Sequence, residues 1–526
     1  MPHPLAGKPV PKDQLTDTAK LVADYFYLNK DLLPISFGTS GHRGSAAKKS
    51  FNEAHALAIS QAIAEQKSED PLFVGIDTHA LSTPAKMSAL RVFAANDVQI
   101  FHSTKPTPTP LVSFAILGYN KKGAKSDGIV LTPSHNPPED GGYKYNPPHG
   151  GPASAEVTSM IEKRANEILK AKSYHTLPYE EAMESEKIQG YDFIAPYVEA
   201  LESIVDMETI AKSGMRLAAD PLGGSAIGVY QAIKERYLPD LVIRHDWVDY
   251  TFSFMTLDHD GKIRMDCSSP YAMASLLKIK DRFDLAFAND TDADRHGIVT
   301  PVGGLMNPNH FLSVAIWYLF THRSWPKGLK IGKTFVSSSM IDKVAKDLGV
   351  EVYETPVGFK WFAEGLYEEW LGFAGEESAG ATFLRKDGSV WTTDKDGIVM
   401  GLLAAEIKAK LKDPALLYQD LEAKFGQSFY ERIDVPTDPE TKRRIKAIDP
   451  ENLHLNTLAG EPIETIYTSI NGMPVGGVKI VAPNGWIAIR PSGTEDIYKI
   501  YAESFLSKEH LRQLQQEAQR IVREII

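Results

Sequence analysis

Three aspartates recur at every second position in "DTDADRHG" (residues 290–297): Asp290, Asp292 and Asp294. Carboxylates this close repel one another when merely solvated, yet on one loop they offer several oxygens to a hard divalent cation. The string is not an EF-hand, because Arg295 and Pro301 stand where that loop needs its sixth glycine and twelfth glutamate. With no His/Cys cluster beside it, an all-oxygen set favours Mg²⁺ over Zn²⁺. A solvated acidic turn is the plain alternative. A second stretch, "LTPSHNPPEDGGYKYNPPHGG" (131–151), places Ser134 beside His135, between Pro133 and Pro137. Ser134 reads three ways: a Ser–His nucleophile, a turn residue bonding local backbone, or a serine that accepts and donates a phosphoryl group beside a metal. Two points weigh against the first. Neighbours on an extended strand face opposite ways, and no G-x-S-x-G elbow occurs in the chain.

Other loops carry groups suited to oxyanions and hydroxyls. "RPSGTED" (490–496) sets the Arg490 guanidinium before Ser492, Gly493 and Thr494, a fork of donors with hydroxyls and close backbone N–H groups. It lacks the lysine of a Walker loop and reads equally as a turn between strands. "GFAGEESAG" (372–380) places Glu376, Glu377 and Ser378 among glycines, suited to a sugar's vicinal hydroxyls or simply to an exposed acidic turn. "FGTSGHRGS" (37–45) is Gly-rich with Ser40, His42 and Arg43, and "TPVGFKWF" (355–362) combines Lys360 with aromatics of the kind that usually fill cores.

These loops need elements to hold them. Apolar runs at 72–76, 217–219, 285–288 and 334–336 each lead into polar residues and then a helical period. Strands alternating with helices imply α/β units with parallel or mixed sheets, whose ligands sit beyond the carboxyl ends of the strands. "VGIDTHALS" (74–82) and "LAADPLGGS" (217–225) share an Asp after an apolar run and a Ser five residues on, and a third such unit begins at Lys333. The last hundred residues differ. Runs at 478–481 and 486–489 flank Asn484-Gly485, a hairpin signal. Another strand at 498–501 precedes a helix with Leu511, Leu514, Ala518, Ile521, Val522 and Ile525 on one face. Boundaries near 190, 305 and 425 divide the chain into 1–190, 191–305, 306–425 and 426–526.

Bulk properties narrow the class. The 526 residues are 43% hydrophobic and 24% charged, ordinary for several globular domains. A net charge of −11 argues against nucleic acid and anionic membrane as partners, so cations for a phosphate must be local. The single cysteine, Cys267, forms no disulfide within the chain. The opening MPHPLAGKPVPKDQ has no apolar signal core, and the apolar stretch 311–320 is about half of a membrane span, so a cytoplasmic location is expected.

Taken together, "FGTSGHRGS", "TPSHNPPEDGG-KYNP", "DTDADRHG", "TPVGFKWF", "GEESAG", "TDKDG" and "RPSGTED" run through nearly the whole chain in an order that resembles the α-D-phosphohexomutase superfamily. The resemblance implies four domains around a central cleft: three topologically similar α/β domains and a C-terminal α+β domain. It implies an isomerase that interconverts glucose 1-phosphate and glucose 6-phosphate through a phosphoserine and glucose 1,6-bisphosphate, with one Mg²⁺. By resemblance Ser134 is the phosphoserine, and Asp290, Asp292 and Asp294 hold the metal with a phosphoserine oxygen. Thr355, Gly358, Glu376 and Ser378 meet the sugar. Arg490, Ser492, Gly493 and Thr494 clamp the idle phosphate, and Arg43 and Arg295 line the reacting one. Lys144 and Lys395 take the proton-transfer and charge-neutralising roles. Where some relatives carry a histidine just after the sugar loop, this chain has Gly380 and Ala381, and Lys395 is its substitute. Mannose or amino-sugar phosphates, or hydrolysis by a metal-dependent phosphatase, are the competing readings. Monomer and homodimer both fit the sequence.

Overall fold

The computed structural model describes residues 2–38, 41–493 and 496–524, the Asn452 side chain excepted. Its first three units share one sheet topology. In the first, strand Leu72–Ile76 lies between Ile100–His102 and Asp127–Leu131, all parallel, and Asp140–Asn146 pairs antiparallel outside Asp127–Leu131. The second repeats this order with Leu217–Asp220, Val242–Ile243, Leu285–Asn289 and antiparallel His296–Thr300. The third does so with Lys330–Thr334, Val352–Thr355, Leu371–Gly375 and antiparallel Ala381–Phe383. The faint repeat in the sequence is thus a repeat of topology. In each unit the same connection, from third strand to antiparallel fourth, carries a chemical loop: 132–139, 290–295 and 376–380.

Local chemistry explains the element ends that matter. Every residue of Asp127–Leu131 and Leu285–Asn289 is buried, as expected of strands covered on both faces. Helix Gly397–Lys410 begins where Asp396 accepts the Ile398 and Val399 N–H groups, an N-cap. Its faces are apolar all round, and it packs on both strands of the second unit that flank the aspartate loop, so it is buried between units. The apolar run at 334–336 is not itself the strand, which ends at Thr334. Ser337 N–H turns back to the Thr334 carbonyl (2.9 Å), freeing Phe335 and Val336 to pack against Trp486 and Tyr501.

The C-terminal unit is a five-stranded antiparallel sheet, ordered 429–436, 497–504, 485–491, 473–482, 465–470. Helix Lys508–Glu524 covers one face with Leu511, Leu514, Ala518, Ile521 and Val522; Ile525 lies outside the described residues. The other face docks on the third unit. There the fully buried Glu503 carboxylate accepts from the Ser338 hydroxyl, Ser339 N–H (2.7 Å) and Trp486 Nε1–H (2.8 Å). Among the described residues no helix is long and apolar enough to cross a membrane.

Candidate active site

Ser134 follows the first unit's third strand in the left-handed region, with φ of +57°, and is 1% exposed. Its Oγ donates to Asp290 Oδ2 at 2.8 Å, across the boundary between first and second units. The turn corrects one sequence argument. Ser134 and His135 are not extended neighbours facing opposite ways, and His135 Nδ1 lies 3.4 Å from Ser134 Oγ. Burial and the nearby Arg295 push the His135 pKa well down, so the ring is neutral.

The aspartate loop is likewise a turn rather than an extended strand, with Ala293 at φ +57°. The turn brings ligand atoms of Asp290, Asp292 and Asp294 within 4.8 Å of one another, all three buried. Burial, then Asp294 and Asp292, push Asp290 well above the usual carboxylate range. Asp294 is also buried, but Lys144, Lys395 and Arg295 around it hold it far below that range. Asp292 Oδ1 and Asp294 Oδ1 are buried without any hydrogen-bond donor. Two orphaned carboxylate oxygens beside a third carboxylate form a donor set that fits a hard divalent cation such as Mg²⁺.

Lysines occupy the opposite oxygens. Lys144 Nζ lies 2.6 Å from Asp292 Oδ2 and 2.9 Å from Asp294 Oδ2; Lys395 Nζ lies 3.0 Å from Asp294 Oδ2 and 3.3 Å from Asp394 Oδ1. Burial disfavours both ammonium charges, but the carboxylates outweigh it and raise both pKa values. Beside these carboxylates both lysines carry positive charge. Two glycines make room for the arrangement. A Cβ on Gly380 would stand 2.1 Å from Lys395 Cδ, and one on Gly397 would stand 2.0 Å from the Arg295 carbonyl. Arg295 Nε reaches Asp294 Oδ1 at 3.9 Å and Asp290 Oδ2 at 4.0 Å. Arg43 donates from Nη1 to Asn136 Oδ1 at 3.2 Å, and burial followed by Arg295 lowers its pKa.

The third unit supplies the acidic loop. Glu376, 7% exposed, accepts the Gly358 N–H at 3.0 Å, and Gly358 has φ of +127°, a conformation a side chain would strain. Burial lifts the Glu376 pKa to about 7, although Lys395 pulls it down. Thr355 is buried with its hydroxyl on the Pro356 carbonyl (2.9 Å), and Ser378 is partly exposed. Glu377 instead takes the Thr334 hydroxyl (2.9 Å). In the C-terminal unit Arg490 lies one residue before the end of strand Gly485–Pro491, and Ser492 N–H closes the turn on the Ile497 carbonyl (2.9 Å). Burial raises the Tyr501 phenol to about 12, with Glu377 adding to the shift and Arg490 opposing it. Space around Gly493 is open; Thr494, and Ser40 of the first Gly-rich loop, lie outside the described residues.

The structure also adds residues that type and spacing did not single out. Thr109 donates its N–H to the Asp292 carbonyl (3.0 Å) and its hydroxyl to the Asp292 carboxylate. Asp77, Thr132 and Thr291 are buried around Ser134. Asp77 had a signal in the "VGIDTHALS" repeat, but as a marker of fold.

Comparison with known proteins bears on the whole chain. Residues 34–172, 195–303 and 307–425 match the families described as phosphoglucomutase/phosphomannomutase, alpha/beta/alpha domains I, II and III, and 406–521 match its C-terminal domain. A phosphoglucomutase of Komagataeibacter xylinus is 53% identical over 534 aligned residues, covering 98% of this chain and 96% of the relative. The crystal structure of a putative phosphomannomutase from Thermus thermophilus superposes with TM-score 0.74 at 26% identity, covering 94% of this chain and 100% of that one. The open form of Paramecium parafusin, a phosphoglucomutase, superposes with TM-score 0.72 at 22% identity, covering 93% and 95%, and shares the fold. Four domains in sequence, and a relative of that identity along nearly its full length, lead to one statement: the chain belongs to the phosphoglucomutase/phosphomannomutase family.

Proposed function

We propose that this chain is a phosphoglucomutase, an isomerase interconverting α-D-glucose 1-phosphate and glucose 6-phosphate through phosphoserine 134 and glucose 1,6-bisphosphate. The observation that carries the reading is the buried Ser134 hydroxyl, 2.8 Å from Asp290 in a triad whose other two members keep an oxygen without a donor. The 53% identity to the Komagataeibacter xylinus enzyme supports glucose as the sugar. Asp290, Asp292 and Asp294 would hold Mg²⁺, which when bound supplies positive charge to the phosphoryl oxygens. Phosphate monoesters are so inert that catalysis must supply on the order of 20 kcal/mol, chiefly by positioning and charge neutralisation.

The chain's own groups suit that demand. Arg43 and Arg295 flank the Ser134 loop and neutralise the phosphoryl group in flight. Lys144 and Lys395, both ammonium, add to this charge. Glu376 and Ser378, with Thr355 and Gly358 behind them, orient the sugar, and Arg490, Ser492, Gly493 and Thr494 grip the phosphate that is not reacting. In the first transfer the Ser134 Oγ–P bond breaks as the sugar's free hydroxyl oxygen bonds phosphorus, and the proton that hydroxyl gives up ends on Ser134 Oγ, which leaves as a free serine hydroxyl. The bisphosphate turns over in the cleft, and its other phosphate returns to Ser134. Water must stay out, which we assign to closure of the C-terminal unit over the cleft. We place the functional units at 1–190, 191–305, 306–425 and 426–526, and the enzyme in the cytoplasm.

A coupled assay tests this: glucose 1-phosphate, Mg²⁺ and a trace of glucose 1,6-bisphosphate, read as glucose 6-phosphate, with an EDTA control and a parallel phosphate readout. Metal-dependent product without free phosphate is expected. Release of phosphate would make the chain a phosphatase, and turnover only of mannose or amino-sugar phosphates would change the substrate.

A further inference from the structure

We infer that Asp77 and His79, which touch neither the aspartate triad nor the cleft loops' ligand groups, form a buried ion pair that positions the phosphoserine loop against the aspartate loop. The inference rests on the reading of Ser134 as the phosphorylated residue. A non-glycine residue held at φ +57° is strained and persists only where its surroundings fix it. Here both backbone groups of Ser134 are gripped. Its N–H donates to Thr132 Oγ1 at 2.8 Å, and its carbonyl accepts from the Thr291 hydroxyl at 2.6 Å. Both hydroxyls converge on one atom. Thr132 Oγ1 donates to Asp77 Oδ2 at 2.6 Å, and the single Thr291 hydroxyl proton is shared between the Ser134 carbonyl and the same Asp77 oxygen, 3.0 Å away. Thr132 belongs to the phosphoserine loop and Thr291 to the aspartate loop, so Asp77 pins two units to a single carboxylate.

His79 completes the clamp from the other side. Its Nδ1 faces Asp77 Oδ2 at 2.8 Å and its Nε2 faces the Asn136 carbonyl at 3.0 Å. Both partners accept only, so the ring must donate from both nitrogens, which only the imidazolium does. Asp77 is saturated on its other oxygen by Ser82 Oγ (2.5 Å) and His79 N–H (3.0 Å). Both side chains are 0% exposed. Although burial disfavours both charges, each stabilises the other: the His79 pKa is raised and the Asp77 pKa lowered. The Ser134 loop is therefore held before the serine through Thr132, at it through Thr291, and after it through Asn136. None of the four holding side chains reaches the reacting atoms. Their effect is on where Ser134 Oγ stands, and misplacement by about 1 Å costs on the order of 100-fold in rate.

The test uses the full chain with Mg²⁺, comparing Thr132→Val with Thr132→Ser, and His79→Gln beside them. Valine keeps Thr132's shape and loses the hydroxyl; serine keeps the hydroxyl. We expect Thr132→Val to lower kcat about 100-fold with KM and melting temperature nearly unchanged, and Thr132→Ser to restore kcat to within about threefold of wild type. The rate at which glucose 1,6-bisphosphate phosphorylates Ser134, followed by intact mass, should fall in parallel for Thr132→Val and His79→Gln. Equal kcat for the valine and serine variants would overturn the inference. So would a Thr132→Val loss confined to KM, or one matched by a collapse in melting temperature. A wild-type chain that converts no hexose phosphate would overturn the functional reading beneath it, and is told apart because it fails before any variant is made.

Discussion

Glu376 is asked to do something that weakens the fold. Its carboxyl is buried, and its pKa moves from 4.5 to about 7 because burial outweighs the pull of Lys395. Between those values the folded chain keeps a proton that the unfolded chain has lost, so stability falls as pH rises through this window and the full penalty is present above about 7. At 1.36 kcal/mol per pH unit the penalty near pH 8 is about 3 kcal/mol, and near pH 5 about 1 kcal/mol. Glu376→Gln has nearly the same shape, can accept the Gly358 N–H through its amide oxygen, and carries no charge to desolvate. It should therefore be more stable than wild type, and more so at the higher pH.

At a few degrees per kcal/mol for a cooperative unit of this size, thermal melts should show a gain of about 5–10 °C near pH 8 and about 2 °C near pH 5. The same variant should lose about 10- to 150-fold in kcat/KM, because a charged acceptor for sugar hydroxyls contributes about 1.5–3 kcal/mol. Equal gains at both pH values would refute the charge argument, since a packing effect does not titrate. A gain with full activity would refute the assignment of Glu376 to the sugar.

The other expectations follow from named contacts. Ser134→Ala should abolish turnover yet leave the calorimetric affinity for glucose 6-phosphate within a few-fold of wild type, because the phosphate grip is assigned to the C-terminal loop; loss of binding would undo that division. Gly380→Ala places a Cβ against the Lys395 stem, so kcat should fall about tenfold or more with little change in melting temperature, and an unchanged kcat would show that Lys395 tolerates displacement. Mg²⁺ at about a hundred times its dissociation constant should raise stability by about 2.7 kcal/mol, read as a higher melting temperature that EDTA abolishes; Asp290→Asn should melt higher than wild type without metal and respond less to it. Limited proteolysis near residue 426, where the chain enters the C-terminal unit, should slow when glucose 1,6-bisphosphate is bound, and equal rates would count against closure.

Type and spacing marked Ser134, the three aspartates and the glycine-rich loops because each is an unusual local cluster. What was illegible depends on distance along the chain. Asp77 and Thr291 meet across 214 residues, and neither is unusual where it stands. The need for Gly380 appears only once Lys395 is seen to pass over it. Local turns misled the reading as well. An apolar run followed by polar residues looks extended, but positive φ at Ser134 and Ala293 folds each chain segment back, and this is what puts His135 beside Ser134 and gathers the aspartates. The strand at Thr334 stops short where Ser337 N–H turns back to the Thr334 carbonyl, and Phe335 and Val336 pack on Trp486 and Tyr501 of the C-terminal sheet.

The repeat explains why chemistry gathers at one point. Three units of one topology present the same hairpin, third strand to antiparallel fourth, and the hairpins meet with the serine, the aspartates and the Glu376 loop on separate copies. Charge then decides what the meeting point accepts. Lys144 and Lys395 hold the Oδ2 atoms of Asp292 and Asp294, while those two aspartates keep their Oδ1 atoms without donors, so a cation can join without displacing either lysine. The unmodified Ser134 hydroxyl gives Asp290 a proton to share. Phosphorylation removes that donor and adds a charge of about −1.5 to −2 beside three carboxylates. The phosphorylated state therefore needs a divalent cation more than the free serine does, and the four cations Arg43, Lys144, Arg295 and Lys395, in a chain of net charge −11, are gathered where that need arises.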